Sequence, residues 1–157
     1  IKMGYMKDLS VRIGEAKEVV REALRREGHK PERMEVVGSS YITDKTNGDL
    51  DILVYVNQGK LSIGVGSMVF DGWAYGGSVG EDGEDNWGSW KKQVGGVGEV
   101  NMLVTTYENY FNAWLTSAEV CRLLHLRGIL VPRDVRVGIH SIIMDDSTAD
   151  YENERKL

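Results

Sequence analysis

Cysteine is almost missing from this chain: Cys121 is the only one. A lone thiol excludes an intrachain disulfide and any zinc site built from cysteines. It points to a reducing interior, so a cytoplasmic protein is expected. Also missing is an apolar run approaching the roughly 20 residues that a membrane-spanning helix needs, and no membrane partner is expected. The opening residues Ile1–Ser10 hold no long apolar stretch, so no signal peptide is expected. The isoleucine at position 1 suggests a natural start elsewhere, for example at Met3 or Met6. Several phosphate, metal and hydrolase motifs are absent: Gly-x4-Gly-Lys-Ser/Thr, His-Glu-x-x-His, Gly-x-Ser-x-Gly and Gly-x-Gly-x-x-Gly. Excess positive charge is lacking too. The formal net charge is −5, and an acidic chain is a poor non-specific binder of nucleic acid, because such binding rests on many Lys and Arg contacts to phosphate. The charge is uneven, with nine Lys/Arg against six Asp/Glu in residues 1–33, whereas Glu81–Asp85 and the segment from Asp145 to Leu157 are acidic. No dedicated DNA-binding surface is expected.

What is present suits one domain. The 157 residues are enough to bury a sizeable core, and 41% hydrophobic with 27% charged residues is ordinary for a globular chain. The 19 glycines concentrate between Gly59 and Gly98, where turns, hairpins or a loop are expected. Residues 8–27 read as an amphipathic helix with Leu9, Ile13, Ala16, Val20 and Ala23 on one face and Gly28 as its cap. Met34–Val37 reads as a strand that stops at Gly38-Ser39-Ser40. A polar connector follows, and then Leu50–Val56, the clearest strand. Asn57-Gln58-Gly59-Lys60 reads as a hairpin turn into a strand near Leu61–Val65. One or two short strands are expected within Gly66–Gly98, and another at Val100–Val104. A helix follows, capped by Thr105 and Glu108; it buries Phe111, Trp114, Ala118 and Cys121 and ends at Gly128. Arg133–Met144 then reads as a last strand. The expected architecture is α/β: a mixed sheet with helices packed mainly on one face, in a single domain over 1–144, with an acidic C-terminal tail over 145–157.

The chemistry concentrates in two short stretches. Side chains alternate along a strand, so Asp49 and Asp51 share one face while Leu50, Ile52 and Val54 point to the other. Two adjacent carboxylates repel each other and lose solvation unless a cation sits between them. Mg²⁺ (or Mn²⁺) suits such a pair, because it is commonly held by one or two carboxylates plus substrate phosphates. Upstream, Gly38 allows close backbone approach to a phosphate, and the amides and hydroxyls of Ser39 and Ser40 can hold its oxygens. Phosphate beside a metal is the equipment of phosphoryl or nucleotidyl transfer.

The pattern Val37-Gly38-Ser39, nine residues, then Asp49-Leu50-Asp51-Ile52 is similar to the signature of the DNA polymerase β-like nucleotidyltransferase superfamily. Gly48 stands where a Ser often precedes the first Asp. The resemblance implies a minimal nucleotidyltransferase-like fold, a nucleoside triphosphate as partner, and transfer of its nucleoside monophosphate to a hydroxyl of a protein, RNA or small-molecule acceptor. It also implies a third carboxylate on a later strand. Asn101 falls at that position by register, and Glu99 could substitute if the strand shifts by two residues. Trp87-Gly88-Ser89-Trp90-Lys91-Lys92 and Asn101-Met102-Leu103-Val104-Thr105, followed by a Trp-bearing helix, resemble small nucleotidyltransferase-like proteins of tailed bacteriophages. That likeness implies a host-cytoplasm setting and a nucleotide cleft lined by Ser89, Lys91 and Lys92. Because Asn101 is neutral, the alternative is a degenerate member that binds a nucleotide or a partner without turnover, as an antitoxin-like or host-inhibiting protein would.

The remaining polar residues read as structural. Trp73, Trp87, Trp90 and Trp114 are expected in packing, Cys121 in the core, and His125 at a helix end. Arg133 and His140, six residues apart, match the Arg-x4–6-His spacing of HEPN-type RNases. That motif needs a helix, and a segment read as a strand makes the match a coincidence.

Overall fold

In a computed structural model, the chain builds one five-stranded sheet with helices against both faces. The structure describes residues 8–57, 65–79 and 87–155. Helix α1 (Leu9–Arg26) starts where the Asp8 carboxylate accepts a hydrogen bond from the Ser10 amide at 3.2 Å. It ends at Gly28, whose φ of 78° lets the His29 and Gly28 amides turn back onto the carbonyls of Leu24 and Arg25. Arg12, Ala16, Val20 and Leu24, four residues apart, form its buried line. Ile13 and Ala23, expected in that stripe, pack only partly buried beside it.

Strand β1 (Pro31–Val37) leads through Gly38 into one helical turn, α2 (Ser39–Ile42), and then β2 (Leu50–Val56) follows. Strands β3 (Ala74–Val79), β4 (Trp87–Val94) and β5 (Gly98–Thr105) precede α3 (Glu108–Leu126) and α4 (Arg133–Arg155). The sheet order is β1-β2-β5-β4-β3. β2 and β5 run parallel and every other neighbouring pair is antiparallel, so the sheet is mixed, as expected. Leu50, Ile52, Val54, Val56, Val100, Met102 and Trp90 point to the α1 face, where Ala16, Val20 and Leu24 seal them in. On the other face Val37, Leu53 and Leu103 meet Phe111 and Ala118 of α3. α4 stacks on α3 through Met144, Tyr110 and Ala113. Among the described residues, three helices therefore gather on one side, and α1 covers the other together with the segment holding Val65, Met68 and Phe70.

Two expectations need correction, and another falls mostly outside the described residues. The hairpin turn and most of the strand placed near Leu61–Val65 fall on residues 58–64, outside the described residues. Val65 itself begins a 3-10 turn (Val65–Ser67), and both edges of β2 are already taken by β1 and β5. Thr105 does not cap α3. It ends β5, fully buried, and its hydroxyl accepts from the Tyr107 amide at 3.2 Å, while Tyr107 occupies the cap position. Arg133–Met144 is helix, not strand. Its Val and Ile content suggests β-structure by propensity alone, but propensity yields to burial pattern. Arg136, Ile139, His140, Ile143 and Met144, at helical spacing, are the less exposed residues, and the Pro132 carbonyl accepts the Arg136 amide at 3.0 Å. The helix itself continues to Arg155. Among the described residues, no helix is long and apolar enough to cross a membrane.

Candidate functional site

The parallel pairing of β2 with β5 builds the polar end of the sheet. Register places Asp51 beside Asn101 and Leu50 beside Val100, so the side chains of Asp51 and Asn101 lie on the α3 face with Leu53 and Leu103. Asn101 Nδ2 donates to Asp51 Oδ1 at 2.7 Å. Just outside the paired segment, the carboxyls of Asp49 and Glu99 are close enough to share a hydrogen bond. Lys91 lies opposite Asn101 in the β4–β5 ladder and brings a positive charge to the same group. Asp49, Asp51, Glu99, Asn101 and Lys91 are thus brought together.

The turn after β1 closes against this group. Gly38 has φ 75° and ψ −165°, a conformation open essentially to glycine alone. A Cβ there would lie 3.0 Å from Cγ of Asp51 and closer still to Oδ2. Gly38 is therefore needed twice, for its backbone angles and for the room it leaves to a carboxylate. Ser39 lies half-buried on the wall of an adjoining cavity. Ser40, expected to hold phosphate, does not face it: the residue is 1% exposed, and its hydroxyl turns inward to donate to the Val37 carbonyl at 3.5 Å. In a one-turn helix, successive side chains point about 100° apart, so two neighbouring serines do not both reach one ligand.

The electrostatics are those of crowded acids. Burial pushes the Asp51 carboxyl above its usual range; the Asn101 hydrogen bond opposes this, the Asp49 carboxylate adds to it, and Lys91 relieves part. Glu99 is raised mainly by its hydrogen bond with Asp49 and by that group's charge. Asn101 Oδ1 is buried with no hydrogen-bond partner, an acceptor left facing no donor. Among the described residues, no group of three or more His, Cys, Asp or Glu side chains is arranged to hold a metal ion. Asp49 and Asp51 could hold a divalent cation only if it brought phosphate oxygens of its own, since the donors present do not make a preformed cage for a bare ion.

Strand alternation separates the three β4 residues expected in the cleft. Lys91 is at the acidic group. Ser89 lies on the same face, opposite Leu103, two residues from Lys91 and off the cavity wall. Lys92 is on the opposite face, opposite Val100, with its ammonium 5.9 Å from the Trp73 ring. There it lines a larger cavity of about 740 Å³ beside the ion-paired Arg and Glu residues of α1, and none of the clustered acids borders that space. Expecting both lysines in one cleft overlooked the period of two.

Several site residues escaped the sequence reading. A cavity of about 490 Å³ opens from Gly38, Ser39 and Asp51 toward α3 and α4, where Arg133, Arg136 and His140 complete its wall. His140 is held by Ser117 Oγ, 3.0 Å from Nδ1, and by an edge-on contact with Trp114 at 4.8 Å; burial keeps its pKa below the ordinary histidine value. The signal was there in the spacing of 133, 136 and 140, which is one helical face, but it was hidden by the strand reading. Arg12 was missed for another reason, because a charged residue inside an apolar stripe reads as noise. It is 6% exposed. Its Nε donates to the Val97 carbonyl at 2.8 Å and Nη2 to the Gly48 carbonyl at 3.1 Å, and Nη1 reaches the Thr46 carbonyl. Arg12 thus ties the approach to Asp49 onto α1 and the β4–β5 turn.

No protein-family model matches the chain, and neither the curated proteins nor the solved structures contain a significant match.

Proposed function

We propose that this chain binds a nucleoside triphosphate with its divalent cation at the Gly38–Asp51 end of the sheet and transfers the nucleoside monophosphate to an acceptor hydroxyl. The observation that carries the reading is the fit of Asp51 against Gly38, with Asp49 and Glu99 alongside and a cavity of nucleotide-binding size opening in front. Gly38 brings the chain close to a phosphate, and the Ser39 hydroxyl donates to its oxygens. Asp49 and Asp51 hold the cation, which supplies charge neutralisation at the phosphate oxygens when bound. Lys91 tempers the acid cluster. The acceptor oxygen attacks the α-phosphorus, its proton passes to the Glu99 carboxylate, and pyrophosphate leaves. A carboxyl raised toward neutrality by its neighbour is suited to that proton transfer. Asn101, which cannot take a proton, steadies Asp51 through its amide.

Asn101 also supports a second reading: a nucleotide-binding protein of the same kind without turnover, since a neutral amide stands where the resembled superfamily has its third carboxylate. One experiment separates the two. The protein is incubated with Mg²⁺ or Mn²⁺, each labelled nucleoside triphosphate, and protein or RNA acceptors, and pyrophosphate release is followed. Release that disappears in Asp49→Ala and Asp51→Ala is the expected result. Nucleotide binding with no release across all acceptors selects the second reading, and absence of nucleotide binding overturns both.

A further inference from the structure

The α4 wall of the cavity carries charge that nothing described so far uses. Arg136 is half-buried, and its Nε is fully enclosed with no hydrogen-bond partner. An enclosed guanidinium donor left unmet costs free energy, a cost that falls if the side chain turns toward an anionic acceptor in the cavity. Arg136 stands beside Cys121, whose thiol feels its charge. Arg133, three residues earlier on α4, lines the same cavity. Against these two cations the cavity wall offers, among the described residues, one acid, Asp51, whose Oδ1 already accepts from Asn101. His140 closes the row. Its Nδ1 is engaged by Ser117, which leaves Nε2 as the ring atom able to meet a ligand.

We infer that Arg133, Arg136 and His140 form a phosphate subsite that takes the β- and γ-phosphates of the nucleoside triphosphate, across the cavity from Asp51. The inference rests on the nucleotide reading above and adds to it the residues that recognise the leaving pyrophosphate. The chemistry is that of a planar guanidinium fork, which meets two phosphate oxygens at once and is more easily desolvated than an ammonium. The two ends of the cavity then have separate tasks. The sheet end, with Asp51, takes the reacting α-phosphate. The α4 end takes the terminal phosphates and becomes the binding site of free pyrophosphate after transfer. Two phosphates carry enough charge for two arginines, whereas a nucleoside monophosphate, anchored at the Asp51 end, does not reach them.

The test is calorimetric titration of the full chain with inorganic pyrophosphate in buffer without divalent cation, and separately with AMP in buffer containing Mg²⁺. The wild-type chain is expected to bind pyrophosphate. Arg136→Gln is expected to weaken that binding about tenfold or more, the scale of one charge-assisted bidentate contact, with AMP binding unchanged. Arg136→Lys is expected to recover part of the loss. Arg133→Gln, at an exposed position that leaves the fold intact, is expected to weaken pyrophosphate binding in the same direction. Equal pyrophosphate affinity in the wild type, Arg136→Gln and Arg133→Gln overturns the inference, as does absence of pyrophosphate binding to the wild type. The nucleotidyl-transfer reading fails separately. Arginine-dependent pyrophosphate binding without turnover on any acceptor keeps the subsite and rejects transfer. Turnover lost in Asp49→Ala, with pyrophosphate binding indifferent to both arginines, does the reverse.

Discussion

At the scale of single residues, the site is defined by how tightly Gly38 and Asp51 approach each other. A methyl group at position 38 meets the Asp51 carboxylate and also forces a backbone conformation that L-residues avoid. Gly38→Ala is therefore expected to cost roughly 1–3 kcal/mol of stability and to abolish nucleotide binding, measured by urea denaturation and calorimetry. Asp51 presents the opposite balance. Its folded-state pKa is raised by burial and by its acidic neighbours, so the native state holds the proton more tightly than the unfolded chain does. Above that folded-state pKa the ionised carboxylate destabilises the fold, and the penalty fades as pH falls through it. Asp51→Asn is thus expected to melt at a higher temperature than wild type at pH 7 in cation-free buffer. The gap should narrow as pH is lowered toward 4, while nucleotidyl transfer is lost throughout. An Asp51→Asn variant less stable than wild type at pH 7 would reject this account of the acid cluster.

At the scale of elements, the positioning of the acids depends on contacts that the sequence disclosed unevenly. Strand β2 was readable to the residue, because Leu50–Val56 is dense in apolar and β-branched side chains and is buried on both faces. That Asp49 and Asp51 would be neighbours was expected from alternation alone, and the Asp49 charge does act on the Asp51 carboxyl. That Asn101 would sit beside Asp51 required the parallel register of β5, which no local pattern carries. Helix α4 was misread because Val135, Val137, Ile142 and Ile143 look like strand residues until the neighbour that buries Arg136, His140 and Met144 is known. Arg12 was illegible because its three partners are backbone carbonyls, distant in sequence and silent about side-chain type. Arg12→Ala leaves those carbonyls unpaired and is expected to cost roughly 3 kcal/mol and to loosen the segment before Asp49, read as faster amide exchange at residues 46–48. The docking of α4 has its own pH dependence. Because burial lowers the folded-state pKa of His140, the unfolded chain takes up a proton first as pH falls below about 6.5, and stability is lost from there downward. His140→Gln, which can keep the contact with Ser117, is expected to flatten that acid limb. Tryptophan fluorescence follows the change, since Trp114 packs against both His140 and Trp87.

At the scale of the whole molecule, helices cover both faces of the sheet, and the end where β2 and β5 begin side by side is where, among the described residues, acids, a glycine turn and a cavity meet. Features that disfavour the empty fold gather there: like charges in contact, a glycine in a conformation closed to other residues, and an acceptor on Asn101 without a donor among the described residues; across the cavity, Arg136 holds a donor without an acceptor. On the other side of the sheet, α1 shows consistent local structure, with Asp8 capping its start, Gly28 at its end and ordinary i,i+3 and i,i+4 ion pairs along it. Local inconsistency within an otherwise consistent fold is what a ligand resolves. Binding of a nucleoside triphosphate with Mg²⁺ is therefore expected to stabilise the molecule as a unit. At a ligand concentration about one hundred times the dissociation constant, mass action contributes about 2.7 kcal/mol, a rise of roughly 5–10 °C in the melting temperature for a domain of this length. Asp49→Ala should remove most of the Mg²⁺-dependent part of that rise, and Arg136→Gln most of the part that persists without the cation. A melting temperature unmoved by every nucleoside triphosphate, with and without the cation, would mean that the strain at the end of β2 serves something other than a nucleotide.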